Sequence, residues 1–304
     1  MHVVLLGTAA GGGFPQWNCW CPSCRAVRTD PRAARARSQS SAAISADGQR
    51  WFLLNASPDV REQLTALRAP QETPAELRFS PVDGIVFTDA ELDHTLGLPL
   101  LRESRYLPVY ATGAVQRILE DDSHLLPVTR AFAEVPVTQL VVGHETGLCT
   151  REGRPSGLTV MPFEVPAGPP RFTAAEERGH TVGLIIRDLG TGGRCAFVPG
   201  CGGLDDALLS LLGTSHLLLF DGTFWTDDQL IGLGISDRTA RQMDHIPVAG
   251  PDGSLVRLAG LEGPRRVYTH INNSNPMLLD HGPERAQVVA AGLTVGEDGM
   301  RFEI

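Results

Sequence analysis

The sequence predicts a layered α/β protein whose sheets are covered by helices. Three observations predict it: apolar strand-like runs alternate with helical stretches, polar clusters fall where those runs end, and no linker, repeat or low-complexity tract divides the 304 residues. A composition of 42% apolar and 20% charged residues is that of a folded soluble protein. A formal charge of −9 and a pI near 5.5 argue against nucleic acid as a partner, because phosphate binding draws on a surplus of Lys and Arg. Residues 1–13 lack a basic leader, and their apolar run is too short for a secretory signal or a membrane span. The expectation is a cytoplasmic protein with no membrane partner.

Residues 2–6 read as a first strand, followed at 7–13 by a glycine-rich loop that lets backbone approach other groups closely. No Gly-Lys-Ser/Thr follows and dinucleotide spacing is absent, so a phosphate cradle is disfavoured. Strands are expected at 41–45 and 51–55, then a helix at 58–64 marked by Pro58 in its first turn and an early Asp59. An apolar strand at 84–88 runs into the segment Asp89-Ala90-Glu91-Leu92-Asp93-His94, and a helical stretch near 95–101, a strand at 107–110 and a helix at 113–119 follow. The second half continues with strands at 158–161, 182–186, 195–198, 217–220 and 266–269, and helices near 205–212 and 283–291.

Three of the six cysteines, Cys19, Cys21 and Cys24, crowd into one loop, while Cys149, Cys195 and Cys201 are scattered. A disulfide framework does not suit a cytosolic chain of this size. Cys-x-Cys-x-x-Cys spacing lets three thiolates converge on one Zn²⁺, whose closed structural sites take four N or S ligands, the fourth coming from elsewhere. The alternative is a set of buried or redox cysteines, less favoured for three thiols within six residues.

Asp93 and His94 offer an oxygen and an imidazole from one strand-end loop, and His270 ends the apolar strand before it. Two histidines and one carboxylate on one face of an ion leave positions open, the donor set of non-haem Fe(II) oxygen chemistry. Glu91 and Asp89 lie on the same loop, where each would ligate or hydrogen-bond to a ligand. Alternatively, Asp93 caps the helix starting at Thr95 and His94 is a satisfied, partly buried histidine.

Other residues carry weaker signals. Asp221, at a strand end, is a candidate substrate ligand or general base, with anchoring of its own turn as the commoner fate. Phe224 and Trp225 would wall an aromatic pocket or pack the core. Asn272, Asn273 and Asn275 would bind carboxylates or shape the turn before Pro276, the latter being the stronger expectation. His180 borders a strand, His281 begins a helix, and His2, His124, His144 and His216 have no ligand context.

Four stretches carry a family resemblance: Gly11-Gly12-Gly13-Phe14-Pro15-Gln16-Trp17-Asn18-Cys19, the run from Phe87 through Asp89, Glu91, Asp93 and His94 to Leu98, Phe220-Asp221-Gly222-Thr223-Phe224-Trp225, and Tyr268-Thr269-His270-Ile271-Asn272-Asn273-Ser274-Asn275-Pro276. Over essentially its full length the chain resembles the B family of pyrroloquinoline quinone (PQQ) biosynthesis proteins, within the metallo-β-lactamase fold superfamily. The resemblance implies an αββα sandwich, one domain over residues 1–304, with a zinc-binding loop at 19–24. Superfamily phosphodiesterases share the cysteine loop with a later histidine, and that similarity maps the fourth zinc ligand onto His245.

In hydrolases of the superfamily the frame at 89–94 reads His-x-His-x-Asp-His, so here carboxylates replace the first two histidines. The superfamily's third metal histidine would fall near Val165 and its bridging aspartate near Gly200. Neither side chain can ligate, so the similarity implies one ion held by Asp93, His94 and His270, with hard ligands favouring iron or manganese over a second zinc. The family implies synthesis of PQQ and, within it, Fe²⁺- and O₂-dependent hydroxylation of the tyrosine-derived ring of a Glu-Tyr precursor. The competing expectations are a metal-dependent hydrolase and a non-catalytic carrier that moves PQQ or a precursor toward the periplasm. The expected partners are an aromatic amino-acid-derived small molecule and O₂, with a homodimer and contacts to other PQQ biosynthesis proteins left open.

Overall fold

Strand β1 (His2–Gly7) buries Val3 and Leu5 on one face and Val4 and Leu6 on the other, so it must be covered on both sides. The computed structural model, which describes residues 1–30, 32–67, 79–173 and 177–304, supplies that cover with two sheets and flanking helices. After β1 come β2 (Ser41–Ser45), β3 (Trp51–Leu54), β4 (Val82–Val86), β5 (Val109–Thr112) and β6 (Val137–Leu140). The second half adds β7 (Thr146–Cys149), β8 (Pro155–Glu164), β9 (Val182–Asp188), β10 (Arg194–Val198), β11 (Leu217–Asp221), β12 (Arg265–Thr269) and β13 (Thr294–Val295), and β14 (Arg301–Glu303) returns to the first sheet. The sheet orders are β14-β1-β2-β3-β4-β5-β6 and β13-β12-β11-β10-β9-β8-β7. Each sheet is antiparallel in one part and parallel in the other, with β3 to β6 parallel in the first and β10 to β13 parallel in the second.

The inner faces meet in one core, with Val3, Leu5, Ile44, Phe52 and Val86 opposite Leu184, Ile186, Phe197, Leu219 and Val267. Outside the first sheet, Leu53 and Ile85 pack on Val60, Leu98, Val115 and Leu126 of the covering helices; outside the second, Val198, Leu218 and Phe220 pack on Leu208, Leu212, Leu258 and Val288. Each fully buried Leu, Ile, Val or Phe contributes roughly 1.5–3 kcal/mol. The result is the αββα layering of the metallo-β-lactamase fold. Among the described residues no helix is long and apolar enough to cross a membrane.

Several elements differ from the sequence reading. The strand expected at 84–88 is β4, which ends at Val86, and the helix expected at 58–64 is Val60–Leu67. Strands β6 and β7 went unread because each is four residues long and only partly buried. Helix Pro22–Thr29 went unread because it buries only Ser23 and Cys24.

Candidate metal centre

The loop after β4 is fixed before it presents a ligand. Asn55, at φ 62° just past β3, accepts the Thr88 N–H on Oδ1 at 3.0 Å and donates from Nδ2 to Thr88 Oγ1 at 2.9 Å. Thr88 Oγ1 donates to Asp89 Oδ2 at 2.6 Å, and the Glu91 N–H donates to Asp89 Oδ1 at 2.9 Å. The short helix Leu92–Thr95 then carries Asp93 and His94. Its end is docked on the chain past β3, where Ala56 N–H donates to His94 O at 2.7 Å and Gly97 N–H to Ala56 O at 2.9 Å. Gly97 is required there, since a Cβ would lie 2.4 Å from Ser57 O.

Buried Asp89 accepts from His94 Nδ1–H at 2.8 and 2.9 Å, which turns Nε2 inward. A carboxylate behind an imidazole is the usual way a ligating histidine has its tautomer set. His94 Nε2 is buried and has no hydrogen-bond partner among the described residues. It lies 3.9 Å from Asp93 Oδ2.

His270 approaches from the other sheet, just past β12, with φ 53°, a left-handed backbone that non-glycine residues adopt mainly where surroundings hold them. Thr223 holds it: the hydroxyl accepts from His270 Nδ1–H at 2.8 Å, while its own proton serves Asp221 Oδ1 at 2.6 Å or His270 O at 2.8 Å. With Nδ1 occupied, Nε2 faces Asp93 Oδ2 at 3.2 Å.

One ligand atom each from Asp93, His94 and His270 lies within 4.8 Å of the others. The donors suit a divalent cation, and the buried, unpartnered Nε2 of His94 is the atom such an ion would satisfy. The electrostatics agree. Burial opposes charge on His94, yet the Asp89 and Asp93 carboxylates lift it to about 9. Burial also opposes ionisation of Asp93, but His94 and His270 hold it well below the usual carboxylate range. Glu91, at the rim, is pushed up to about 7 by desolvation and by Asp89 and Asp93. Neither Asp89 nor Glu91 belongs to the ligand group; Asp89 instead orients His94.

Two expectations are corrected. His245 does not lie with the thiols: its Nδ1–H donates to Asp221 Oδ2 at 2.7 Å, and its ring stacks on His270 with centroids 5.5 Å apart. The segment around Asp244 is drawn to the end of β11 by the buried aspartate and to the loop past β10 by the Ile246 N–H bond to Cys201 O at 2.6 Å. Asp221 in turn cannot touch a substrate, being fully buried with both oxygens occupied by the N–H groups of Cys201 and Thr223, the Thr223 hydroxyl and His245. It anchors its own turn and aims His245. Burial works against its charge, but His245 holds its carboxyl below the usual range.

Cys19, Cys21 and Cys24 do converge, their sulfurs within 4.8 Å of one another. The residue facing them is Asn273, whose Nδ2 lies 3.3 Å from Cys24 Sγ and whose carbonyl lies 3.6 Å from Cys21 Sγ. Burial pushes the Cys21 thiol up to about 12, and a Zn²⁺ ion among these sulfurs would supply the charge that thiolates need. Asn272 and Asn275 perform turn duty, Asn272 Oδ1 accepting the Ser274 N–H at 3.0 Å and Asn275 Nδ2 donating to Gly222 O at 2.9 Å. Phe224 is buried with its ring 5.7 Å from that of His245, and Trp225 packs into the core. The His180 ring meets its neighbour Thr181 Oγ1 at 3.2 Å, and His281 lines a shallow hollow with Asp30 and Arg32. Val165 sits in the core, while at Gly200 a Cβ would meet only His245 Cε1, at 3.9 Å.

The pairing of Asp221 with His245 and the place of Asn273 were missed by sequence reasoning. One signal was present: Asp221 ends an apolar strand as Asp89 follows one, each ahead of a histidine.

Residues 50–271 match the beta-lactamase superfamily domain. The chain is 41% identical to coenzyme PQQ synthesis protein B of Rhodopseudomonas palustris and 41% identical to that of Methylobacterium radiotolerans, each match covering all of both chains. Among solved structures, Zn²⁺-bound PqqB from Methylobacterium extorquens superposes with a TM-score of 0.90 at 38% identity over the whole of both chains. A diphosphatase of the PhnP family, 22% identical with a TM-score of 0.69 over 100% of this chain and 97% of its own, shares the fold. A strand-end ligand group on an αββα sandwich and full-length identity of about two residues in five place the chain in the coenzyme PQQ synthesis protein B family of the β-lactamase superfamily.

Proposed function

We propose that this protein is an enzyme of PQQ synthesis that uses one ferrous ion, held by Asp93, His94 and His270, and O₂ to hydroxylate the tyrosine-derived ring of a Glu-Tyr precursor. The observation that carries this reading is the buried, unpartnered Nε2 of His94 facing a carboxylate and a second imidazole. Two imidazoles and one carboxylate leave open positions on an ion, and a redox-active metal there supplies O₂ activation that zinc does not. The chain's own residues do the positioning: Asp89 aims His94, Thr223 aims His270, and Phe224 packs edge-on against His245, which stacks on His270. Hydroxylation places one oxygen atom on the ring and reduces the other to water, with two protons and two electrons from an external donor. The thiol cluster, facing Asn273, is proposed to hold a structural zinc ion, which would brace the loop that also bears His270.

The test is anaerobic reconstitution with Fe²⁺, addition of the tyrosine-derived precursor and then admission of air. Expected is an O₂-dependent gain of one oxygen in product mass, lost by at least about a thousandfold in Asp93→Ala, where an essential ligand is gone. Turnover by Asp93→Ala at the wild-type rate would end the proposal.

A hydrolase with two ions has one observation in its favour, the second group formed by Asp221, His245 and His270. Against it, both oxygens of Asp221 are already taken by donors of the protein. A metal would have to displace them. Retention of a second equivalent of zinc at this group, with turnover of a phosphodiester in the absence of O₂, would favour hydrolysis.

A further inference from the structure

We propose that His245, aimed by Asp221, binds the hydroxyl of the substrate's phenol ring and so selects a phenol over an unsubstituted phenyl ring. The inference rests on the hydroxylase reading for the class of substrate, and on the structure for the residue.

His245 is held on three sides. Its Nδ1–H is committed to the buried carboxylate of Asp221 at 2.7 Å, one ring face stacks on His270 at an interplanar angle of 24°, and the Phe224 ring stands edge-on at 5.7 Å. Nε2 remains. It makes no hydrogen bond among the described residues, it is absent from the buried unpartnered atoms, and the side chain keeps 18% of its surface exposed. An imidazole fixed in this way, with one nitrogen left accessible, presents a single directed polar atom at a known place.

That atom is not a fourth ligand of the first group. Ligands of one ion at about 2.1 Å lie within about 4.2 Å of one another, and His245 does not join Asp93 and His94 within 4.8 Å. It stands beside the ion's place, in the layer next to the His270 ring. The neighbouring space is open, because at Gly200 a Cβ would find no atom nearer than 3.9 Å, and that atom belongs to His245.

The surroundings select the chemistry of the group that Nε2 would meet. Asp221, Asp93 and Asp244 surround His245 with carboxylates, so a phosphate or carboxylate of the ligand would face repulsion. A phenolic hydroxyl is neutral and both donates and accepts, so it pairs with Nε2 in either protonation state of the ring. Beside it, the buried Phe224 ring packs edge-on against His245 and keeps that side of the imidazole apolar. A site that hydrogen-bonds a hydroxyl rejects the analogue lacking it, because its polar atom is then desolvated without a partner.

The experiment uses the full chain with Zn²⁺ in its metal sites, a redox-silent filling that stops turnover, and titrates a tyrosyl dipeptide and its phenylalanyl analogue by calorimetry. The wild type is expected to prefer the tyrosyl dipeptide by about tenfold. His245→Phe, which keeps a ring against His270 and removes the nitrogen, should bring the two affinities together at unchanged metal content. His245→Gln, which keeps a polar atom near the Nε2 position, should restore most of the preference. Retained discrimination in His245→Phe overturns the proposal, as does loss of one metal equivalent in that variant, which would make His245 a ligand. Equal binding of both dipeptides by the wild type overturns this proposal alone, whereas binding of neither overturns the substrate class and the proposal with it. Should His245→Phe fail to fold, Gly200→Val decides: filling the space beside His245 should weaken the tyrosyl dipeptide at least about tenfold, and unchanged affinity counts against it.

Discussion

His94 and His245 each donate Nδ1–H to a buried aspartate, Asp89 at 2.8 Å and Asp221 at 2.7 Å, yet the two rings end in different surroundings. The free nitrogen of His94 is buried opposite Asp93, while that of His245 stays accessible on a side chain that keeps 18% of its surface exposed. The supports differ too. Asp89 belongs to a network closed within the first sheet by Asn55 and Thr88, and His94 hangs from it through a five-residue connection. On the second sheet, Asp221 and Thr223 hold His245 and His270, and the loop past His270 reaches the thiol cluster through Asn273. The same hydrogen-bond device therefore serves one imidazole suited to a cation and one suited to a ligand, and what separates them is Asp93, which joins His94 and His270 in one ligand group that leaves His245 out.

The largest effect should come from breaking the support unique to the second sheet. Cys24→Ser removes one of three converging sulfurs, and a bound structural ion contributes folding free energy directly. Denaturant titration should show a loss of several kcal/mol, with one equivalent of zinc gone. Because Asn273 lies three residues past His270, occupancy of the open centre should fall as well. Unchanged zinc content and stability in Cys24→Ser would show that the thiols brace nothing.

A pair of matched substitutions sharpens the contrast between the two aspartates. Asp89→Asn leaves a neutral group behind a proposed ligand and should weaken metal binding at the open centre by about 10–100-fold. Asp221→Asn makes the same change behind a ring outside the ligand group and reaches the ligand His270 only through Thr223, so competitive chelator titration should find a loss of metal affinity below about tenfold. Equal losses in both variants would collapse the distinction and return His245 to the ligand set.

How far the sequence foretold this arrangement depends on the range of the interactions involved. Runs such as Val3 to Leu6 and Leu217 to Phe220 were legible as strands because both faces are buried, so apolarity is continuous and needs no knowledge of partners. The sandwich itself was legible from family motifs. Asp93, His94 and the thiols could be singled out because neighbours in sequence carry the pattern, and His270 because it ends a strand. Asp221 and His245 are 24 residues apart, and Asn273 and Cys24 are 249 apart. No local periodicity links such pairs. The edge strands β6 and β7 escaped for a related reason: their pairing partners, not their own residues, make them strands.

The finest change is a pH dependence on the His94 side, which turns on a single proton rather than on a lost side chain. Its imidazole is raised from 6.5 to about 9 in the ion-free fold, whereas Asp93 stays ionised throughout. A ligating imidazole must be neutral, so between pH 6.5 and 9 metal uptake displaces one proton from His94, and affinity should rise by about tenfold per pH unit before levelling near 9. Glu91, ionising around 7, should add a lesser rise below that pH. Stability of the ion-free protein runs the other way. A folded-state pKa above the unfolded one gives a contribution that is fully present below pH 6.5 and lost as pH climbs toward 9. The gap between metal-loaded and metal-free melting temperatures should therefore widen from pH 6.5 to 9, read by scanning calorimetry with and without the ion. A gap that is constant with pH would mean that no proton leaves His94 when the ion enters, and the imidazole facing Asp93 would then have no claim to be a ligand.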